Sequence, residues 1–133
     1  MSTDHNIDVI RRFLRMGEQG FHGDFNEYFT PDYLGYLSGQ QLSLTDLIVF
    51  ERGFAAAFSN VSYNVDEIFG VGDRVACRIT TRAAHTGKFD GIGPTGRQIA
   101  IGGIAIYRFV EGRIAESWCE LDMLGMFGQL KAA

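Results

Sequence analysis

Asp122 ends a long apolar strand pattern and lies four residues beyond Trp118, the one tryptophan of the chain. A carboxylate at the apolar mouth of a pocket has its pKa raised by desolvation, which suits a base working near neutral pH. Followed by Met123-Leu124-Gly125, the same residue also fits a helix N-cap that accepts from the amide of Leu124 or Gly125. His85 stands at a strand end before Gly87 and is of the type that titrates near neutrality, so it suits a proton shuttle. The plainer role for a strand-end histidine is a bond to loop backbone. Tyr33 and Tyr36 offer phenolic donors to a carbonyl or an enolate, or simply pack on a sheet. Trp118 serves either as a pocket wall for a flat ligand or as core or dimer interface. The chemistry these residues point to is general acid/base proton transfer.

The remaining chemistry-bearing residues say less. His22, beside Gly23, reads as a turn residue, and His5 as part of a frayed terminus. Arg78 and Arg82 share the strand face opposite His85 and suit cross-strand pairs with acidic residues. Gly91-Ile92-Gly93-Pro94 has no strand-to-helix context and is no phosphate cradle. Cys77 and Cys119 are too few and too far apart for a disulfide framework or a zinc site. Neither a metal nor a cofactor is implied.

These residues belong to a chain of 133 residues, the length of one domain, 1–133. Such a chain can bury a core without metals or disulfides. Eleven Phe and five Tyr are enough either to fill a core or to line an apolar cavity. The net charge of −4 and the lack of a basic run argue against nucleic acid. No apolar run approaches a membrane span, and Met1-Ser2-Thr3-Asp4-His5 lacks the apolar stretch of a signal peptide. A cytoplasmic protein with two reduced thiols is expected.

Helices come first and strands after. Ile7, Ile10, Phe13, Leu14 and Gly17 predict an amphipathic helix over roughly residues 4–19. Asp24 and Glu27 read as a capping box, with a short helix through Phe29 that ends before Pro31. A short strand is expected over Tyr33 to Leu37. Ser43 and Asp46 signal a second helix start. Leu44, Leu47, Ile48, Phe54, Ala55 and Phe58 make residues 44–58 a helix whose apolar face is interrupted by Glu51. From Val61 the period is two. Gly70-Val71-Gly72-Asp73 predicts a turn, residues 74–86 and 97–109 long strands, Glu111-Gly112 a hairpin turn, and 113–121 the last strand. A short C-terminal helix follows. Gly102-Gly103 in mid-strand predicts a bend or bulge. The fold class is α+β, a bent antiparallel or mixed sheet wrapped around N-terminal helices as a cone.

This order, with Pro31-Asp32-Tyr33 between helices, resembles the nuclear-transport-factor-2-like cone fold. His85-Thr86-Gly87-Lys88-Phe89 leading to Gly91-Ile92-Gly93-Pro94-Thr95-Gly96-Arg97 resembles the SnoaL-like polyketide cyclase family. So does Tyr107-Arg108-Phe109-Val110-Glu111-Gly112-Arg113-Ile114, followed by Glu116, Trp118, Asp122 and Gln129. The resemblance covers nearly the whole chain and includes Asp122 in its broader pattern. In the antibiotic-pathway cyclases of that family an Asp of the last strand is the general acid/base of an aldol closure. A Gln and a His on the preceding strand and an Asn on the first strand hold the enolate. Those four positions fall here on Cys119, Gly103, Ala105 and Gly35, none of which keeps the chemistry.

Gly103, Ala105, Ser117 and Cys119 share parity on neighbouring strands, so the face they form is roomy and weakly polar and suits a bulky apolar ligand. Phe54 joins Tyr33, Tyr36, Gly103, Ala105, Trp118 and Cys119 as a candidate pocket residue. The resemblance implies a cofactor-free acid/base enzyme for a small, apolar, polyketide-like carbonyl compound, with Asp122 and His85 moving the proton. Cyclisation, isomerisation and dehydration all contain that step. The rival reading is a binding or accessory protein that kept the cone and lost the catalysis. A purely structural dimerisation domain, its cone filled by its own Phe and Tyr side chains, is the third. Either of the first two is compatible with a homodimer formed through the open sheet face.

Overall fold

A computed structural model describes residues 2–131. Helix α1, Thr3–Glu18, starts at Ser2, whose hydroxyl accepts from the His5 amide at 3.1 Å. Its buried stripe, Val9, Ile10, Phe13, Leu14 and Gly17, follows the three-and-four spacing. His5 lies in the first helical turn, its Nε2 3.4 Å from the Gly112 carbonyl oxygen, and not in a frayed end. Gly17 is required because the Phe21 ring lies where a Cβ would stand.

The Asp24 signal yields only a 3₁₀ turn, Phe25–Glu27. Asp24 accepts from the Asn26 amide at 2.9 Å, and the expected reciprocal box with Glu27 is absent. Strand β1 then runs Phe29–Leu37, so Pro31 lies inside a strand and does not precede one. Its tolerance has a local cause. Strand β2, Gln40–Ser43, pairs only with residues 34–37, and the register with the last strand shifts between Phe29 and Leu34. Ser43 and Asp46 form a capping box for α2, Leu44–Ala57, with bonds of 3.1 and 3.0 Å.

The long strands are β3, Phe58–Val71; β4, Arg74–His85; β5, Gln98–Val110; and β6, Arg113–Leu121. The turn between β3 and β4 shrinks to Gly72-Asp73, and Gly70 and Val71 belong to the strand. Glu111 and Gly112 both have positive φ, 51° and 82°, as a tight hairpin turn demands. Helix α3, Met123–Lys131, closes the described chain. The sheet order is β2-β1-β6-β5-β4-β3, with β1 parallel to β6 and every other pair antiparallel.

Gly102 and Gly103 introduce no bulge, for the β4–β5 register runs unbroken through both. The irregularities lie instead in β3, in β1 and at Arg108-Phe109. On the outer face Arg78 meets Asp66 and Glu67 at 3.5 and 3.6 Å, the expected cross-strand pairing.

Two buried clusters fill the fold. One packs α1 and an aromatic group, including Phe13, Phe25 and Phe29, against the sheet. The other joins Phe54, Phe58, Ile99, Ile101, Met126 and Leu130. No helix among the described residues is long and apolar enough to cross a membrane.

Candidate active site

Where the two clusters meet they leave a cavity of about 130 Å³. The inner sheet face forms one wall, with Tyr33 of β1, Ser117 and Cys119 of β6, and Gly103, Ala105 and Tyr107 of β5. Strand alternation aims all of these at one side. Helix α2 supplies Leu47, Phe50, Glu51 and Phe54, and α3 adds Met123 and Met126. The cone is therefore not filled by its own aromatic side chains.

The register draws together the positions at which the antibiotic cyclases carry polar groups. Ala105 pairs with Cys119, and Gly35 pairs with Ser117, one row away on the same inner face. Two of the four places are refilled. The Tyr33 hydroxyl occupies the space that a Cβ on Gly35 would need, and the Leu121 side chain crowds the corresponding space at Gly103. The wall is thus less roomy than its residue types imply.

Its polar groups are few. The Tyr33 hydroxyl and Ser117 Oγ, both buried, lie 2.6 Å apart. Burial pushes the Tyr33 phenol up to about 12, the Ser117 bond only partly offsetting it, so it stays protonated and able to donate. Burial and then the charge of Glu51 raise the Cys119 thiol to about 12. It remains a thiol and no nucleophile. Burial likewise holds the Tyr63 and Tyr107 phenols well above their ordinary value.

Among the described residues Glu51 is the one carboxylate on the cavity wall. Burial alone raises it to about 7. Its side chain has no hydrogen-bond or ion-pair partner among the described residues, and its charge bears on Tyr33, Tyr63, Tyr107 and Cys119. Its sequence signal was its position, a charge on the apolar face of residues 44–58.

Asp122 and His85, expected to move the proton, are not among the residues that line the cavity, and Asp122 takes the cap role that its sequence also offered. Asp122 is exposed and caps α3, with its Oδ1 accepting from the Gly125 amide at 2.8 Å. His85 is wholly buried, its ring tilted against Phe58 with centroids 5.1 Å apart, outside the cavity wall. Its Nδ1 accepts from the Thr95 amide at 3.2 Å and lies 3.0 Å from the Thr95 hydroxyl oxygen. Backbone bonds with Gly96 and Arg97 beside it close the base of the loop over residues 86–97.

Tyr33, Phe54, Gly103, Ala105 and Cys119 border the cavity, and so does Tyr36, although its even position turns its ring to the outer face. Trp118 does not, because its parity sends it to the outer face, where it stacks on Tyr36 with centroids 6.2 Å apart. Among the described residues no group of three His, Cys, Asp or Glu side chains is arranged to hold a metal.

An α+β cone with an apolar cavity between a mixed, unclosed six-stranded sheet and its helices defines the nuclear-transport-factor-2-like class. The chain belongs to the SnoaL-like polyketide cyclase family, whose model matches residues 7–130. It is 26% identical over 129 residues to aklanonic acid methyl ester cyclase AcmA of Streptomyces galilaeus, covering 93% of this chain and 89% of that protein. The crystal structure of AclR from the same organism, provisionally named a hydroxylase, superposes with a TM-score of 0.90 at 26% identity, over 99% of each chain. IdmH of Streptomyces antibioticus, provisionally named a polyketide cyclase, gives a TM-score of 0.83 at 26% identity, over 94% of this chain and 97% of its own.

Proposed function

We propose that this protein is a cofactor-free acid/base enzyme of the cyclase or isomerase type, acting on a small apolar carbonyl compound. The observation that carries the reading is the cavity itself, an apolar chamber on which the Tyr33–Ser117 hydroxyl pair and the Glu51 carboxyl border. Membership of the cyclase family and the likeness to AcmA support it. No described residue of the wall is Lys, Arg or His, so a ligand carboxylate would face Glu51 without a counter-ion. The reacting end of the ligand is therefore uncharged, as in a ketone or an ester. Asp122 and His85 then serve the reaction by holding α3 and the 86–97 loop in place. Two free thiols accord with a cytoplasmic setting, and the apolar outer sheet face accords with a homodimer.

The test needs no knowledge of the natural substrate. β-Tetralone and cyclohexanone are neutral ketones whose α-hydrogens exchange with heavy water once a base removes them. Proton NMR of either ketone with catalytic amounts of the protein should show exchange well above the buffer rate. A second reading has its own observation, the loss of all four cyclase side chains at Gly35, Gly103, Ala105 and Cys119. Ketones that bind without exchange would establish that reading and end the enzymatic one.

A further inference from the structure

We propose that Glu51 of α2, on the wall opposite the sheet, is the proton-transferring residue of this cavity and that the Tyr33 hydroxyl holds the enolate oxygen. This inference rests on the reading just given and supplies its catalytic groups. Its first basis is the emptied wall. The position of the family's last-strand acid holds Cys119, a protonated thiol, and the positions of its enolate holders are Gly35, Gly103 and Ala105. The second is the refilled space. Tyr33 reaches over Gly35 to Ser117, so a phenol lies where that wall otherwise lacks a donor. The third is Glu51 itself, a carboxyl on an apolar helix face that borders the same cavity as Tyr33 and Cys119 and has no hydrogen-bond or ion-pair partner among the described residues. A glutamate on the polar face of α2 would lie in solvent, whereas this half-buried one stands on the apolar face that borders the cavity.

The step balances within the chain. The Glu51 carboxylate takes a proton from the carbon next to the carbonyl. The C–H electron pair becomes a carbon–carbon double bond, and the carbonyl π pair moves to oxygen. Ser117 donates to the Tyr33 oxygen, which frees the Tyr33 proton to bond that enolate oxygen. The enolate carbon then attacks a second carbonyl carbon, and the new alkoxide takes the proton back from Glu51. In an isomerisation the proton returns instead to another carbon of the same π system. Either way Glu51 ends as it began. A carboxyl raised to about 7 is well matched to both halves of this cycle.

The ketone-exchange measurement decides it through variants. Glu51→Gln keeps the shape and should slow exchange by on the order of a hundredfold or more, while ketone binding, followed by chemical-shift titration, persists. Glu51→Asp, one methylene shorter, should retain part of the rate, which also guards against a misfolded Gln variant. Tyr33→Phe should lower the rate less than Glu51→Gln. The wild-type rate should rise with pH to a plateau above about 7. Unchanged exchange in Glu51→Gln, or its loss in Asp122→Asn with Glu51→Gln intact, overturns the assignment but leaves the enzymatic reading standing. No exchange by the wild-type protein removes both.

Discussion

At the scale of single residues, Glu51 should make the protein less stable as the solution becomes more alkaline. Burial raises its carboxyl from the ordinary 4.5 to about 7. The folded state therefore holds the proton more tightly than the unfolded chain. Stability is full below about 4.5, falls as pH rises toward 7, and stays reduced above it. An interval of that size corresponds to about 3 kcal/mol at most, and water entering the half-buried site lowers it. Denaturant unfolding at pH 5 and pH 8 should find Glu51→Gln more stable than the wild type at pH 8, with the gap closing at pH 5. A gap that is absent at pH 8 would mean that Glu51 is solvated and would sink its raised pKa. A protein that keeps an unpaired carboxyl at this cost accepts instability where function needs it. Glu51 was legible in the sequence only as a flaw in an apolar stripe. Helical spacing says that residue 51 lies on the buried face, but only the packing of α2 over the sheet turns burial into a cavity wall. The Tyr33–Ser117 bond, across 84 positions, left no local trace at all.

At the scale of elements, α3 is held at both ends by side chains of unequal legibility. Asp122 caps its start, as a Ser, Thr, Asp or Asn before a helix commonly does, and that role was readable from the residues that follow it. Gln129 acts near its end. Its Oε1 accepts from the Ala100 amide at 2.8 Å and its Nε2 donates to the Ala100 carbonyl at 2.9 Å. The side chain replaces a strand neighbour where β5 extends beyond β6, whose pairing begins only at Gly103. Asp122→Ala should destabilise the protein by about 1 kcal/mol, and Gln129→Ala should free α3 to lift Met123 and Met126 from the cavity. Hydrogen exchange would detect this as lost protection at the Ala100 and Met126 amides. Retained protection in Gln129→Ala would mean that Leu130 and Met126 alone anchor the helix. The same contrast runs through the fold. Capped helices and the Glu111-Gly112 turn were readable because their causes are local. Strand β2, the strand placement of Pro31 and the straight passage of β5 through Gly102-Gly103 depend on which strand lies alongside.

At the scale of the whole molecule, the outer sheet face carries an apolar row that the interior does not need. Phe69, Ala76, Ile106, Trp118 and Tyr36 are successive register partners across β3, β4, β5, β6 and β1. Phe69 is 58% and Ile106 41% exposed. On one side runs Glu67-Arg78-Ile104-Glu120 and on the other Arg74-Arg108-Glu116, each mixing both signs of charge. A central apolar row between such flanks is suited to a two-fold interface, where each patch meets its own copy and opposite charges can pair. A face left to water would be expected to carry polar residues on that row. Sedimentation velocity should find the wild-type protein as a dimer at micromolar concentration. Ile106→Lys would set two cations against each other across the axis and should shift it to monomers, while the cavity, on the opposite side of β5, keeps its ketone binding. A wild-type protein that stays monomeric up to high concentration would reject the dimer. An Ile106→Lys variant that remains dimeric would place the interface elsewhere. In the proposed arrangement the two faces of one sheet are assigned to separate tasks by strand alternation alone, odd positions such as Ala105 and Cys119 toward the ligand and even positions such as Ile106 and Trp118 toward the partner.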